Sequence, residues 1–485
     1  MSSPFVFVLF GATGDLAKNK LFPALYSLFQ KNQLGERFYI VGFARRPFTD
    51  EQYRKFVAEA LNIDAPTVNL SWEAFSKNIY YQQGLFDDAK GYEALIPRLN
   101  KLDEAIGACI TRIFYLATPP DNYPAILQHL ATTKLSEGCG QGSDKWTLLA
   151  IEKPFGKDLT TAIQLDKMLS KIFEERQIYR VDHYLGKETV QNMIAFRFAN
   201  GIFEPVWNKN YIDHVQVTFS EKKGILDRGQ FFDGVGILRD VAQNHLMQLV
   251  AAVTMEQPKS FNREAVRDAR AAAIKTIRPI LAGEVTKYVV RGQYEGYLKE
   301  KDIAENSTTE TFIAMKFFVN TSRFSGVPFY IRAGKMMERD IVEINIVFIQ
   351  TCHILFKEYG CPEEGNVLTI RIQPDEGIGI RVIAKTPGGK LSLSTVDMKF
   401  TYKDEFGGTI DDAYEKVLQD ILAGDQMLFN RSDELESSWH FIEHILNGWV
   451  HEQQTQNWQI PVYQPGTMGP KAANELIEKD RKKWL

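Results

Sequence analysis

Phe5-Val-Phe-Val-Leu-Phe-Gly-Ala-Thr-Gly-Asp-Leu-Ala17 is the stretch whose reading decides the fold. Six apolar residues in unbroken succession, three Phe among Val and Leu, read as a buried strand. They run into a glycine-bearing turn that opens a helical pattern over Leu16–Gln30. A strand, a tight turn and a helix in that order suit a pyrophosphate. Glycine lets the backbone approach it, and the first N–H groups of the helix face it. The pattern departs from GxGxxG, because Thr13 takes the middle glycine position and Ala17 the last. Gly11, Ala12, Thr13, Gly14, Asp15, Leu16 and Ala17 are the expected dinucleotide contacts.

Further strand-like runs at Phe38–Phe43, Ile79–Gln83, Arg112–Ala117 and Trp146–Ile151 alternate with amphipathic helical stretches such as Asp121–Leu135. That alternation predicts βαβ units and a parallel, doubly wound sheet. The second strand ends Val41-Gly-Phe-Ala-Arg45-Arg46. An acid at this place would bind ribose hydroxyls and repel a 2′-phosphate. Two guanidiniums stand there instead, and their geometry matches phosphate. The expectation is NADP preference, with Arg45 as the main contact and Arg46 beside it or facing solvent. Thr118-Pro119-Pro120 and Glu152-Lys153-Pro154-Phe-Gly156 close the fourth and fifth strands, at the sheet edge where such folds bind ligands.

After Val181 the grammar changes. Longer strand-like runs follow at Val215–Ser220, Tyr288–Tyr294, Thr311–Val319, Phe329–Ala333, Glu343–Gln350, Leu368–Gln373, Gly379–Ala384 and Leu391–Tyr402. Helical patterns at Gly229–Met255, Asn262–Thr276, Asp411–Leu422 and Ser437–Gln453 would cover them. The fold class is thus an α/β Rossmann-type dinucleotide-binding domain, residues 1–181, followed by a larger α+β domain with a mainly antiparallel sheet, residues 182–485. The 485-residue length also calls for more than one core. A net charge of −4 gives no electrostatic case for nucleic acid or an anionic membrane. No apolar run reaches membrane-spanning length. The four cysteines, Cys109, Cys139, Cys352 and Cys361, have neither CxxC nor zinc-site spacing and read as free thiols. With no basic leader at the start, the expected location is the cytoplasm.

Arg180-Val-Asp-His-Tyr-Leu-Gly-Lys-Glu188 crowds Asp182, His183, Tyr184 and Lys187 into six positions. A helix starting near Leu185 would put them at its N-terminus, a favourable place for an anion. His183, Tyr184 and Lys187 all donate hydrogen bonds, so the cluster suits a phosphate monoester. His183 and Lys187 would share a helix face if that helix began early enough.

This nine-residue stretch resembles the active-site signature of the glucose-6-phosphate dehydrogenase family. The resemblance runs from Gly11-Ala-Thr-Gly-Asp-Leu-Ala-Lys18 to Gly466-Thr-Met-Gly-Pro470, nearly the whole chain. It implies oxidation of the C1 hydroxyl of glucose 6-phosphate to the lactone, with hydride transfer to NADP and, in some members, NAD. It implies Lys153 touching both cofactor and substrate, and Pro119 and Tyr123 along the cofactor. His245, in Gln243-Asn244-His245, becomes the general base, with Asp182 as its acid partner. Glu221 and Asp240 accept from sugar hydroxyls, and Lys335 contacts substrate. Arg339 is the corresponding further basic residue, one position earlier than in some relatives and beside Asp340. A homodimer, or a tetramer built from it, is the implied assembly.

Chemistry favours the same set. A base must take the hydroxyl proton as hydride leaves C1, a role suited to histidine, and no metal is required. On a regular helix, however, His245 shares a stripe with Leu238, Val241 and Leu249, the pattern of a core histidine as well as of a buried base. Five positions also separate Asp240 from His245, about 140° apart at about 100° per residue. Either that helix is irregular or the substrate reaches around it. Two rival readings remain: a dehydrogenase of another sugar, and a non-catalytic NADP(H) sensor that keeps the fold.

Overall fold

The computed structural model describes residues 4–63, 70–138, 147–407, 412–455 and 459–485. Trp146, Asp411 and Cys139 lie outside these. Within them the chain forms two compact units.

Six strands build the first unit: β1 (Phe5–Phe10), β2 (Phe38–Ala44), β3 (Ile79–Gln83), β4 (Thr111–Leu116), β5 (Thr147–Glu152) and β6 (Ile178–Val181). They pair in parallel in the order β3-β2-β1-β4-β5-β6, so the chain reverses direction across the sheet between β1 and β4. Every residue of β1 is buried, as expected of a strand covered on both faces. Phe5, Phe7 and Leu9 pack with Leu21, Phe22, Leu25 and Leu28 of the helical segment that follows the first turn. That segment is not a plain helix. A widened π-helical turn over Ala17–Leu21 precedes the α-helix Phe22–Gln30.

The same core takes in Tyr414, Val417, Leu418 and Ile421 from the helix Ala413–Ala423. Lys31 reaches Glu415 of that helix at 2.6 Å. The unit comprises Met1–Gly186, Asn262–Arg267 and Asp411–Ser432. Local pattern gives no sign of this return, because an amphipathic helix does not record which sheet its apolar face covers.

The second unit is built on β7 (Ile212–Ser220), β8 (Val289–Tyr294), β9 (Phe312–Phe318), β10 (Pro328–Gly334), β11 (Ile341–Phe348), β12 (Val367–Gln373), β13 (Gly377–Lys385), β14 (Leu393–Thr401) and β15 (Val462–Tyr463). Their order is β14-β13-β12-β11-β7-β10-β9-β8-β15. Pairing is antiparallel except between β7 and β10 and between β8 and β15. The parallel β7–β10 pair matters most here. Its register sets Ser220 opposite Gly334, so both strands deliver their next residues to one place.

The free-thiol expectation fails. Cys352 and Cys361 form a disulfide in the loop between β11 and β12, and no described cysteine is free. Two 3₁₀ turns, Cys352–Ile354 and Lys357–Tyr359, fold that loop back until the two Cα atoms are 5.9 Å apart, within disulfide reach. Spacing along the chain does not reveal such a fold-back. No described helix is long and apolar enough to cross a membrane.

Candidate active site

The first unit carries the phosphate-binding turn. Gly14 N–H donates to the Gly11 carbonyl at 2.9 Å, and Gly11 N–H donates to the Phe43 carbonyl of β2 at 3.0 Å. Gly11 has φ +82°, and a Cβ there would lie 2.3 Å from the carbonyl oxygen of Ala117, just beyond β4. Glycine is therefore required at residue 11 for conformation and for space. Thr13 and Asp15 keep surface exposure, while Ala12 and Ala17 are buried against the sheet. Asp15 begins the helical segment, where its negative charge is favourable.

Arg45 and Arg46 follow β2 and are both exposed. Their backbone is pinned from β3. Tyr81 donates to the Ala44 and Arg46 carbonyls at 2.9 and 2.6 Å, and Gln83 Nε2 donates to the Arg45 carbonyl at 3.2 Å. The Arg46 guanidinium lies over the Phe56 ring, 5.9 Å from its centroid. Two cations are thus held at the sheet edge with their main chain fixed, which suits an anionic group arriving from solvent. Exposed Pro119 accepts from Asn122 N–H through its carbonyl at 3.0 Å. Tyr123 is 1% exposed and spends its hydroxyl on the Glu152 carbonyl at 2.9 Å, so it supports the strand end that precedes Lys153. Lys153 itself is half-buried.

Behind Lys153, the Glu152 carboxyl is buried and accepts from Tyr115 at 2.5 Å and from Tyr414. Burial pushes its pKa up to about 7, against the hydrogen bonds of both phenols and the Lys153 charge, and with the charge of Asp182 adding to the rise. The sign follows from linkage. The folded chain holds a proton that the unfolded chain has released, so stability falls as pH rises from the ordinary carboxylate range through about 7. The full effect is about 3 kcal/mol. Glu152→Gln keeps an acceptor for Tyr115 and cannot ionise. Its urea-unfolding stability should therefore lack the decline that the wild type shows between about pH 5 and about pH 8; parallel profiles for the two proteins would refute this.

The Asp182–Lys187 stretch differs from expectation. The helix begins at Glu188, with Lys187 as its N-cap, and not near Leu185. Residues 183–186 form turns closed by Leu185 N–H to the Asp182 carbonyl at 3.0 Å and Gly186 N–H to the His183 carbonyl at 3.2 Å. Asp182 accepts from Tyr184 N–H at 3.0 Å, an Asx-type bond that competes with helix formation. His183 and Lys187 therefore do not share a helical face. Glycine is favoured at residue 186, since a Cβ there would lie 2.9 Å from the Ala413 carbonyl. Asp182 is 1% exposed and Tyr184 6%. His183 is half-buried, with its ring stacked on Tyr414 at 5.7 Å and 13°.

In the second unit, Lys187 Nζ donates to Gln373 Oε1 at 2.6 Å, at the end of β12. Glu221 and Lys335 follow the paired ends of β7 and β10. The Lys335 ammonium meets the Glu221 carboxylate at 2.6 Å, with the lysine side chain 5% and the glutamate 35% exposed. Arg339 is exposed, and its carbonyl accepts from Ser220. Asp340 takes up Lys222 N–H at 2.8 Å.

The helix carrying His245 is irregular, which answers the angular difficulty. Leu238–Leu246 is a π-helix that passes into the α-helix Met247–Thr254. Bonding in a π-helix runs from i to i+5, so residues five apart, such as Asp240 and His245, occupy neighbouring turns. Glu310 Oε1 accepts from Leu238 N–H at 3.0 Å and caps the start of this segment. Gln243 donates to Ser438 at 2.8 Å, and Gln248 to Glu434, whose carboxylate is also gripped by Arg270. His245 is 2% exposed and lies parallel to the Phe219 ring of β7 at 6.3 Å. The segment is thereby held from both sides, with Asp240 half-buried on it.

Comparison with known proteins decides the family. A model described as the glucose-6-phosphate dehydrogenase NAD binding domain matches residues 8–192, and the C-terminal domain model matches residues 194–485. The chain belongs to the glucose-6-phosphate dehydrogenase family. Glucose-6-phosphate 1-dehydrogenase of Chlamydia muridarum is 39% identical, across 99% of this chain and 96% of the relative. That of Borreliella burgdorferi is 40% identical, across 99% and 98%. A solved glucose-6-phosphate dehydrogenase in complex with glucose 6-phosphate is 33% identical with a TM-score of 0.88, covering 100% of this chain and 99% of that one. The Mycobacterium avium structure gives 30% and 0.83, with the same coverage.

Membership in the glucose-6-phosphate dehydrogenase family carries the enzyme class and a nicotinamide dinucleotide cofactor. Gly11–Gly14 and the exposed arginines fit that cofactor, since they combine a close backbone approach with a fixed positive edge. Three contributors leave no sign in the sequence: Tyr414 against His183, Gln373 against Lys187, and Tyr115 against Glu152. Each acts across many residues, and none sits in a pattern that singles it out.

Proposed function

We propose that this member of the glucose-6-phosphate dehydrogenase family converts D-glucose 6-phosphate to 6-phospho-D-glucono-1,5-lactone with NADP as the preferred acceptor. The pairing of Lys335 with Glu221 at the adjoining ends of β7 and β10 carries the reading, because it places a desolvated cation and an acceptor carboxylate together. Such a pair suits a ligand bearing both phosphate and hydroxyls. Residues 1–181 are assigned to the cofactor and residues 182–485 to substrate and dimerisation, with a homodimer in the cytoplasm as the working form.

In this scheme His245 takes the C1 hydroxyl proton at an imidazole nitrogen, and Asp182 stabilises the imidazolium that forms. His183, Tyr184 and Lys187 bind the phosphate, with Lys335 and Lys153 as further cations and Arg339 at the margin. Glu221 and Asp240 accept from the sugar hydroxyls. The Gly11–Ala17 turn, Pro119 and Tyr123 shape the dinucleotide site, and Arg45 with Arg46 takes the 2′-phosphate. The bound nicotinamide supplies the hydride acceptor. Initial rates with NADP and NAD, on glucose 6-phosphate and on glucose, test the scheme. Turnover that requires the phosphate and favours NADP is expected. Equal rates on glucose would point to a dehydrogenase of another sugar, and no turnover in folded protein to a sensor.

A further inference from the structure

The π-turn that carries Asp240 and His245 has an internal fastener. Asn244, 2% exposed, donates through Nδ2 to the carbonyls of Arg239 at 3.3 Å and Asp240 at 3.1 Å. Its Oδ1 accepts from the backbone N–H of His245 at 2.6 Å. One carboxamide thus ties the carbonyl of Asp240 to the amide of His245 across the widened turn. A π-turn is a rare departure from the α-helix, and the inserted residue displaces backbone groups that still need partners when buried. Asn244 supplies three bonds at that place.

We propose that Asn244 is a positioning residue that locks the π-register and so holds Asp240 on the turn next to His245. The proposal rests on the roles given to Asp240 and His245 above. In α-helical register the residue one turn before His245 is Val241, four positions earlier, and Asp240 rotates off that face. Deleting the carboxamide removes the bonds that favour the wider turn. The segment then relaxes toward α-geometry and withdraws the Asp240 carboxylate from the substrate.

A double-mutant cycle on the full chain tests this, with KM and kcat for glucose 6-phosphate measured for wild type, Asn244→Ala, Asp240→Asn and the double variant. Asn244→Ala should lose about 30-fold in kcat/KM, mostly through KM. In the Asp240→Asn background the same change should cost less than about 3-fold, because the carboxylate it positions is already gone. Losses that multiply, or an Asn244→Ala enzyme with wild-type constants, would overturn the proposal. A wild-type KM for Asp240→Asn would instead overturn the substrate role of Asp240, and the proposal with it. If Asn244→Ala does not fold, Asn244→Ser takes its place, since serine keeps a polar group in the buried position but cannot span from the Arg239 carbonyl to the His245 amide.

Discussion

His245→Asn should retain glucose 6-phosphate binding and lose turnover by about 10²- to 10⁴-fold, the range expected when a general base is removed. The imidazole is 2% exposed and stacked on Phe219, in a segment tied down through Gln243, Asn244 and Gln248. Asparagine occupies much of the ring volume and keeps hydrogen-bonding capacity, so the surrounding packing survives. It cannot accept a proton near neutral pH, whereas imidazole can. Calorimetric titration with substrate alone and initial rates at saturating substrate separate the two effects. Unchanged turnover would remove His245 from the chemistry, and loss of binding with loss of turnover would make it a structural histidine.

Arg45→Asp should reduce kcat/KM with NADP by about 10²-fold or more and with NAD far less. The guanidinium is exposed at the end of β2, and Tyr81 and Gln83 hold the main chain around it. The substitution therefore alters charge with little change in the fold. On the proposed reading it removes charge-assisted bonds to the 2′-phosphate and introduces a carboxylate that would accept from a ribose hydroxyl and repel a phosphate. The NADP-to-NAD ratio of kcat/KM is the decisive quantity. A ratio equal to wild type would move 2′-phosphate recognition away from Arg45.

Much of the first unit is legible along the chain because its signals are local. β1 and the turn at Gly11 announce themselves by an unbroken apolar run followed by glycine, and Arg45 and Arg46 by their place at a strand end. The strand ends at Ser220 and, to within one residue, at Gly334 are legible too. Their adjacency is not, because a parallel β7–β10 pair inside a mainly antiparallel sheet depends on the path of the chain between them. The helix starts three residues later than its pattern predicts, because Leu185 and Gly186 close turns on the Asp182 and His183 carbonyls before it.

By itself the sequence determined which groups are present and the order of the elements that bear them: a phosphate-binding turn, two arginines in place of an acid, and a histidine preceded by Gln243 and Asn244. These follow from side-chain chemistry and from periodicities that span a few residues. Tertiary structure alone decided that Tyr414 packs on His183, that Lys335 meets Glu221, that Cys352 bonds to Cys361, and that the helix at Asp240 widens to π. Each of these depends on free energy gained between segments distant in sequence, on a loop folding back upon itself, or on one buried side chain shifting the balance between two helical registers. Neither leaves a period in the sequence to be read.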